Sequence, residues 1–96
     1  SGAGTGESVE DIRREIDAVD SQILDLLARR AGLVRRIGSL KKGPLRDPVR
    51  ERAIITRLKE LAGRRGYNPE TVERIYRLLL ADSVAVQEAQ RRLQEL

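Results

Sequence analysis

The chain has 96 residues, 40% hydrophobic and 35% charged, with a formal net charge of +4. That size suggests one domain with a modest core. It has no Cys, His, Met, Phe or Trp, which excludes disulfides, thiol catalysis, thiolate metal sites and imidazole acid–base chemistry.

The opening SGAGTGES has Gly at positions 2, 4 and 6 and no hydrophobic period. Residues 1–8 read as a flexible tail or cloning remnant, and 9–96 as one helical domain. Ser8, with Asp11 three residues on, resembles a capping box. Apolar residues then recur at Ile12, Ile16, Val19, Ile23, Leu26, Leu33, Ile37 and Leu40. With position 30 included, the steps alternate four and three, as in a heptad seam. Leu24, Leu27, Ala31 and Val34 widen the stripe. Gly43-Pro44 is the first stop signal, so the first helix is expected over about 9–42.

Such a helix is roughly 50 Å long at about 1.5 Å per residue. A compact domain of this size is only about 30 Å across. One chain therefore cannot cover the seam, and an intertwined homodimer is expected.

Asp47-Pro48 pairs an N-cap with a proline at the first helical position and starts a second helix. Ile54, Ile55, Leu58, Leu61 and Ala62 form its apolar face, and Gly63 is expected to end it. Asn68-Pro69 repeats the start signal for a third helix carrying Val72, Ile75, Tyr76, Leu79, Leu80, Val84, Val86 and Leu93. No strand signal occurs. The expected fold is all-α, three helices in a long-short-long order.

Each helix breaks its own pattern. Arg30 occupies a seam position, either as a register-setting polar residue whose stem packs while its head reaches water, or as part of a site. Lys41, four past Ile37, is either a solvated lysine at the helix end or a site cation. Stepping back four from Ile54 and Ile55 gives Arg50 and Glu51, either a first-turn Glu that complements the helix dipole beside a surface Arg, or a charged pair that belongs to a site. Ser83 and Gln87 continue the Tyr76–Leu80 stripe, either because the helix emerges into water or because the stripe leads into a pocket. Gly38 inside the first helix costs about 1 kcal/mol against Ala, which implies close packing or room for a ligand.

Together these breaks describe a pocket with two or three cations, a carboxylate, an amide and a hydroxyl walled by aliphatics. Buried cations need an anionic ligand. The excess of 16 Arg over 3 Lys either favours planar recognition of carboxylate or phosphate or reflects codon usage. No nucleophile–base pair and no metal cluster is in the sequence, and no cofactor is expected. No run approaches the ~20 apolar residues of a membrane span, and no signal segment is visible. A cytoplasmic protein is expected.

Four segments, IRREIDAVDSQILDLLARR (12–30), VRRIGSLK (34–41), DPVRERAII (47–55) and ADSVAVQ (81–87), occur in order at spacings that resemble the all-helical (AroQ) class of chorismate mutases. The resemblance covers residues 9–90. It implies an intertwined six-helix homodimer that rearranges chorismate to prephenate in aromatic amino-acid biosynthesis. The reaction is a concerted pericyclic shift with no covalent intermediate and no proton transfer. Such a site has only to hold the compact reactive conformer and stabilise charge on the ether oxygen.

By the same resemblance, Arg13 reaches into the partner chain's site to bind one substrate carboxylate, and Arg30 binds the other within its own chain. Lys41 contacts the ether oxygen and a carboxylate, and Gln87 donates to the ether oxygen. Glu51 takes the substrate hydroxyl, Asp47 and Arg50 shape the site, and Ser83 lines its wall near a carboxylate. The connection KGPLR between Lys41 and Asp47 looks shorter than in some family members, which bears on how the pocket closes.

Two neighbouring readings share the fold: a lyase that removes pyruvate from isochorismate, and a mutase of an amino-substituted chorismate. A further reading is a regulatory mutase domain activated by another enzyme of the pathway. A nucleic-acid-binding helical dimer would use exposed arginines such as Arg14, Arg35, Arg36, Arg64, Arg65, Arg91 and Arg92. Interspersed acidic residues and the lack of an aromatic platform count against it.

Overall fold

The computed structural model describes residues 7–96, and residues 1–6 of the expected tail lie outside the described residues. The described residues form three helices: α1 (Val9–Leu40), α2 (Pro48–Arg64) and α3 (Pro69–Gln94). This is the long-short-long, all-α order that the periodicity implies.

The start signals act as their chemistry requires. At α1, the Asp11 amide donates to Ser8 Oγ at 3.0 Å and the Ser8 amide donates to Asp11 Oδ2 at 3.3 Å. Each satisfies a donor that the first helical turn would leave open. Asp47 Oδ1 accepts from the Arg50 amide at 3.0 Å, and Asn68 Oδ1 from the Glu70 amide at 2.9 Å. Each cap precedes a proline, whose missing N–H is not needed in the first turn.

Two helix ends differ from expectation. α1 stops at Leu40 rather than 42. The Lys41 amide still donates to the Ile37 carbonyl at 2.7 Å, but the chain then turns through Gly43, whose φ of 81° suits a residue without Cβ. Gly63 does not end α2, which continues to Arg64. The stop is Gly66, with φ of 73°. The Tyr67 amide closes back on the Ala62 carbonyl at 2.9 Å and the Gly66 amide on Gly63 at 3.3 Å, the paired closure of a left-handed glycine stop.

Two compact units divide the chain, one up to Gly32 and one from Leu33 to Leu96. In the first unit, Arg13 pairs with Glu10 at 3.0 Å on the exposed helix surface, and Arg14 pairs with Asp11. The seam residues Ile12, Ile16, Val19, Ile23 and Leu26 keep 43%, 52%, 50%, 50% and 61% of their surface exposed. In the second unit, Val34 of α1, Ile55 and Ala62 of α2, and Leu80 of α3 are buried. α2 and α3 are also joined by Lys59, whose Nζ lies 2.7 Å from Glu73 and 3.1 Å from Glu70.

Candidate functional site

The buried stripe of α3 runs Leu80, Ser83, Gln87, a step of three and then four that keeps one helical face. Ser83 and Gln87 are only 9% and 8% exposed. A helix end emerging into water would leave them wet, so that alternative fails. Ser83 Oγ donates to the Leu79 carbonyl one turn back at 2.8 Å, which lets a hydroxyl sit in a buried stripe at little cost. Among the described residues no fully buried side-chain N or O lacks a partner.

Gly38 explains how Gln87 comes to be buried. The glycine is itself buried on α1. A Cβ built on it would stand 3.1 Å from Gln87 Cα, 3.3 Å from its Cβ and 3.4 Å from its Cγ. Resting carbon–carbon separations are about 3.5–4.0 Å. The α1 backbone therefore approaches Gln87 so closely that a side chain at 38 would force the neighbouring backbone to give by a few tenths of an ångström. Of the two expectations for Gly38, close packing is the one observed.

Lys41 is half-buried just past the end of α1. Its Nζ donates to the Leu45 carbonyl at 3.2 Å, so it curls over the connection instead of extending into solvent. Glu51 begins the buried face of α2 with Ile55 one turn on. Its side chain is 20% exposed and accepts from Arg46 Nη2 at 2.9 Å. Asp47 serves as the α2 cap. Arg50 is exposed, so only Glu51 of the expected charged pair follows the apolar face inward. Arg30 is half-buried on α1 and Arg13 is exposed, both within the first unit.

Two clefts flank the end of the second unit. One of about 460 Å³ is lined by Pro44, Leu45, Arg46, Val84, Glu88 and Arg91 among others, and by none of the expected site residues. Another of about 310 Å³ has Lys41, Gly43, Arg91 and Gln94 in its wall. Among the described residues no three His, Cys, Asp or Glu side chains cluster as a metal would require. No helix among them is long and apolar enough to cross a membrane.

Sequence reasoning missed Arg46 and misplaced Arg91. Arg46 lies in the connection, five residues before its partner Glu51, so no helical spacing marks it. Arg91 was expected to be exposed and available to nucleic acid. It is half-buried, and its guanidinium donates to the carbonyls of Gly43 at 2.8 Å and Lys41 at 2.9 Å. These partners are 48 and 50 residues away in sequence, beyond the reach of any local pattern. Other basic side chains are matched to acids nearby: Arg14 to Asp11, Arg64 to Glu60 at 2.5 Å and Arg77 to Glu73 at 2.5 Å. Pairing of this kind lowers the positive potential that nucleic-acid binding needs.

The family profile described as chorismate mutase type II matches residues 12–88. A chorismate mutase of Methanocaldococcus jannaschii is 30% identical over 84 residues, covering 84% of this chain and 85% of that protein. Bifunctional chorismate mutase/prephenate dehydratases are also similar. The Aquifex aeolicus protein is 36% identical over 89 residues, and the Escherichia coli K12 protein 35% over 81. They match 84% and 81% of this chain, which spans only 24% and 21% of their own lengths. The chain belongs to the type II chorismate mutase family, a family of isomerases.

Proposed function

We propose that this protein rearranges chorismate to prephenate in aromatic amino-acid biosynthesis. The observation that carries the proposal is the extent of the family match, residues 12–88, which takes in every expected site residue from Arg13 to Gln87. Burial of Ser83 and Gln87 on the core stripe of α3 supports it. The Ser83 hydroxyl is bonded to Leu79 within its own helix, and the buried Gln87 amide on an otherwise aliphatic face suits a small polar ligand.

In this reading, chorismate's two carboxylates are held by Arg30 and by Arg13 of the other chain, through planar charge-assisted pairing. Lys41 and Gln87 donate to the ether oxygen as the C–O bond breaks and negative charge gathers there. Donors already in place stabilise that charge without reorganising. Glu51 accepts from the substrate hydroxyl. Asp47 caps α2 and so fixes the direction in which Glu51 enters. Arg50 helps shape the site, and Ser83 lines its wall near a carboxylate. Electrons move in a cycle within the substrate, so the protein supplies no base, nucleophile or cofactor. Arg46 already donates to the Glu51 carboxylate at 2.9 Å.

The site is completed by a second copy of the chain. The support is the first unit's exposed seam, from Ile12 to Leu26. A row of large aliphatics on one helix face is stabilised by a matching row, and a twofold pairing supplies one. It would also bring Arg13 to the other chain's substrate. Pathway coupling is a further part of the reading. The relatives named as bifunctional join a mutase to a prephenate dehydratase, so a prephenate-consuming enzyme is a natural neighbour in the cytoplasm.

The test offers chorismate and isochorismate in parallel and identifies each product. Prephenate from chorismate is the expected outcome. Salicylate from isochorismate, with no prephenate from chorismate, would move the protein to the lyase reading.

A further inference from the structure

We infer that Arg91 is a positioning residue for Lys41, holding the end of α1 and the following connection in the geometry the proposed reaction needs. The inference rests on the mutase reading given above. It starts from a deficit in α1. The last carbonyls of a helix have no partner within it, and they present a partial negative charge that a basic side chain in the last turn commonly offsets. The last turn of α1 has no such residue.

α3 supplies a cation just beyond the end of α1. Arg91 Nη2 donates to the Lys41 carbonyl at 2.9 Å and Nη1 to the Gly43 carbonyl at 2.8 Å. Gln94 Nε2 adds a longer contact to the Ser39 carbonyl at 3.4 Å. One planar guanidinium thus spans the residue that leaves the helix and the glycine at which the chain turns. A lysine ammonium could place charge there but not this fork. Arg91 also stands in the walls of both clefts, so space lies beside it into which the connection could shift if it were lost.

The consequence for Lys41 is geometric. Its side chain lies over the connection, with Nζ on the Leu45 carbonyl, and must leave that carbonyl to reach a substrate. A flexible four-carbon stem delivers its ammonium reproducibly only if its backbone is fixed. Arg91 fixes that backbone through the carbonyl of Lys41 itself. Arg91 lies one helical turn beyond Gln87 on α3. The helix that carries one proposed ether-oxygen donor therefore also sets the position of the other.

The test compares the wild type, Arg91→Ala, Arg91→Lys, Lys41→Gln and the Arg91→Ala/Lys41→Gln double variant, with helix content checked by circular dichroism. Arg91→Ala is expected to lower kcat/KM for chorismate about tenfold to hundredfold, the scale of a misplacement near 1 Å, while Arg91→Lys stays severalfold below wild type. In the Lys41→Gln background the same Arg91→Ala change is expected to cost less than twofold, because its effect passes through Lys41. An equal loss in both backgrounds, or full rescue by lysine, would overturn the inference. Hydrogen exchange at the Lys41 amide, which donates to the Ile37 carbonyl at 2.7 Å, is read separately. Faster exchange in Arg91→Ala supports the clamp, and unchanged exchange overturns it. If the wild type makes no prephenate, the mutase reading fails, and exchange alone decides whether Arg91 holds the connection.

Discussion

Replacing Gly38 with Ala sets two calculable effects against each other. Removing a mid-helix glycine favours α1 by about 1 kcal/mol. The added methyl, however, would stand 3.1 Å from Gln87 Cα and 3.3 Å from its Cβ. Against a resting separation of about 3.5–4.0 Å, α1 and α3 must part by roughly 0.5 Å. The obstacle is a backbone atom in a buried stripe and not the free end of a side chain. Overpacking of this kind costs about 1–3 kcal/mol, so the net expectation is a destabilisation of up to about 2 kcal/mol. Gln87 moves with its backbone, and a donor displaced by a fraction of an ångström stabilises the ether oxygen less well. The assays are thermal unfolding and steady-state kinetics on chorismate. A lower Tm with kcat/KM reduced about tenfold is expected. A higher Tm with unchanged kcat/KM would refute the claim that Gly38 exists to seat Gln87.

Gln87→Glu should move the activity optimum to acidic pH, because only a protonated carboxyl can donate to the ether oxygen. A flat profile at full activity would remove Gln87 from that role. Arg30→Ala should abolish prephenate formation while leaving a helical dimer by circular dichroism and sedimentation, and an active variant would refute its carboxylate-binding role. Glu73→Gln tests the link between α2 and α3. Hydrogen bonds from Lys59 first, and then Arg77, hold the Glu73 carboxyl below its ordinary value of 4.5. Its contribution is therefore present above that pH and lost as pH falls through the lowered folded value. Lys59 is held above its ordinary 10.5 by Glu73 and then Glu70, so its contribution is present below that pH and lost as pH rises through the raised value. Urea unfolding should give a variant whose stability varies less than wild type both below about pH 4.5 and above about pH 10.5; parallel curves would show that the contact contributes nothing.

The helices were legible because their signals are local. Ser8 with Asp11, Asp47-Pro48 and Asn68-Pro69 each act within four residues, and each forms the cap its chemistry implies. The helix ends were less legible. Gly63 was the expected stop, and the closure of Tyr67 onto Ala62 moves it to Gly66. Ser83 and Gln87 could be read as anomalies from period alone, but their burial depends on neighbours that period does not specify. Gly38 shows this most directly. Its partner is Gln87 on another helix, and the contact was visible in sequence only as an unexplained glycine. Arg91 was the clearest miss. A basic residue near a helix C-terminus reads as a favourable surface charge, and nothing local says that the carbonyls it serves lie just beyond the end of a different helix. Arg50 and Glu51 are adjacent, and the hydrophobic period could not separate the exposed one from the half-buried one.

The most direct test of the account follows the disappearance of chorismate with the purified chain and identifies the product by nuclear magnetic resonance. Prephenate is expected as the sole product, with turnover lost in Arg30→Ala and strongly reduced in Gln87→Ala. Chorismate left at its spontaneous rate of rearrangement, or converted to a product other than prephenate, would contradict it.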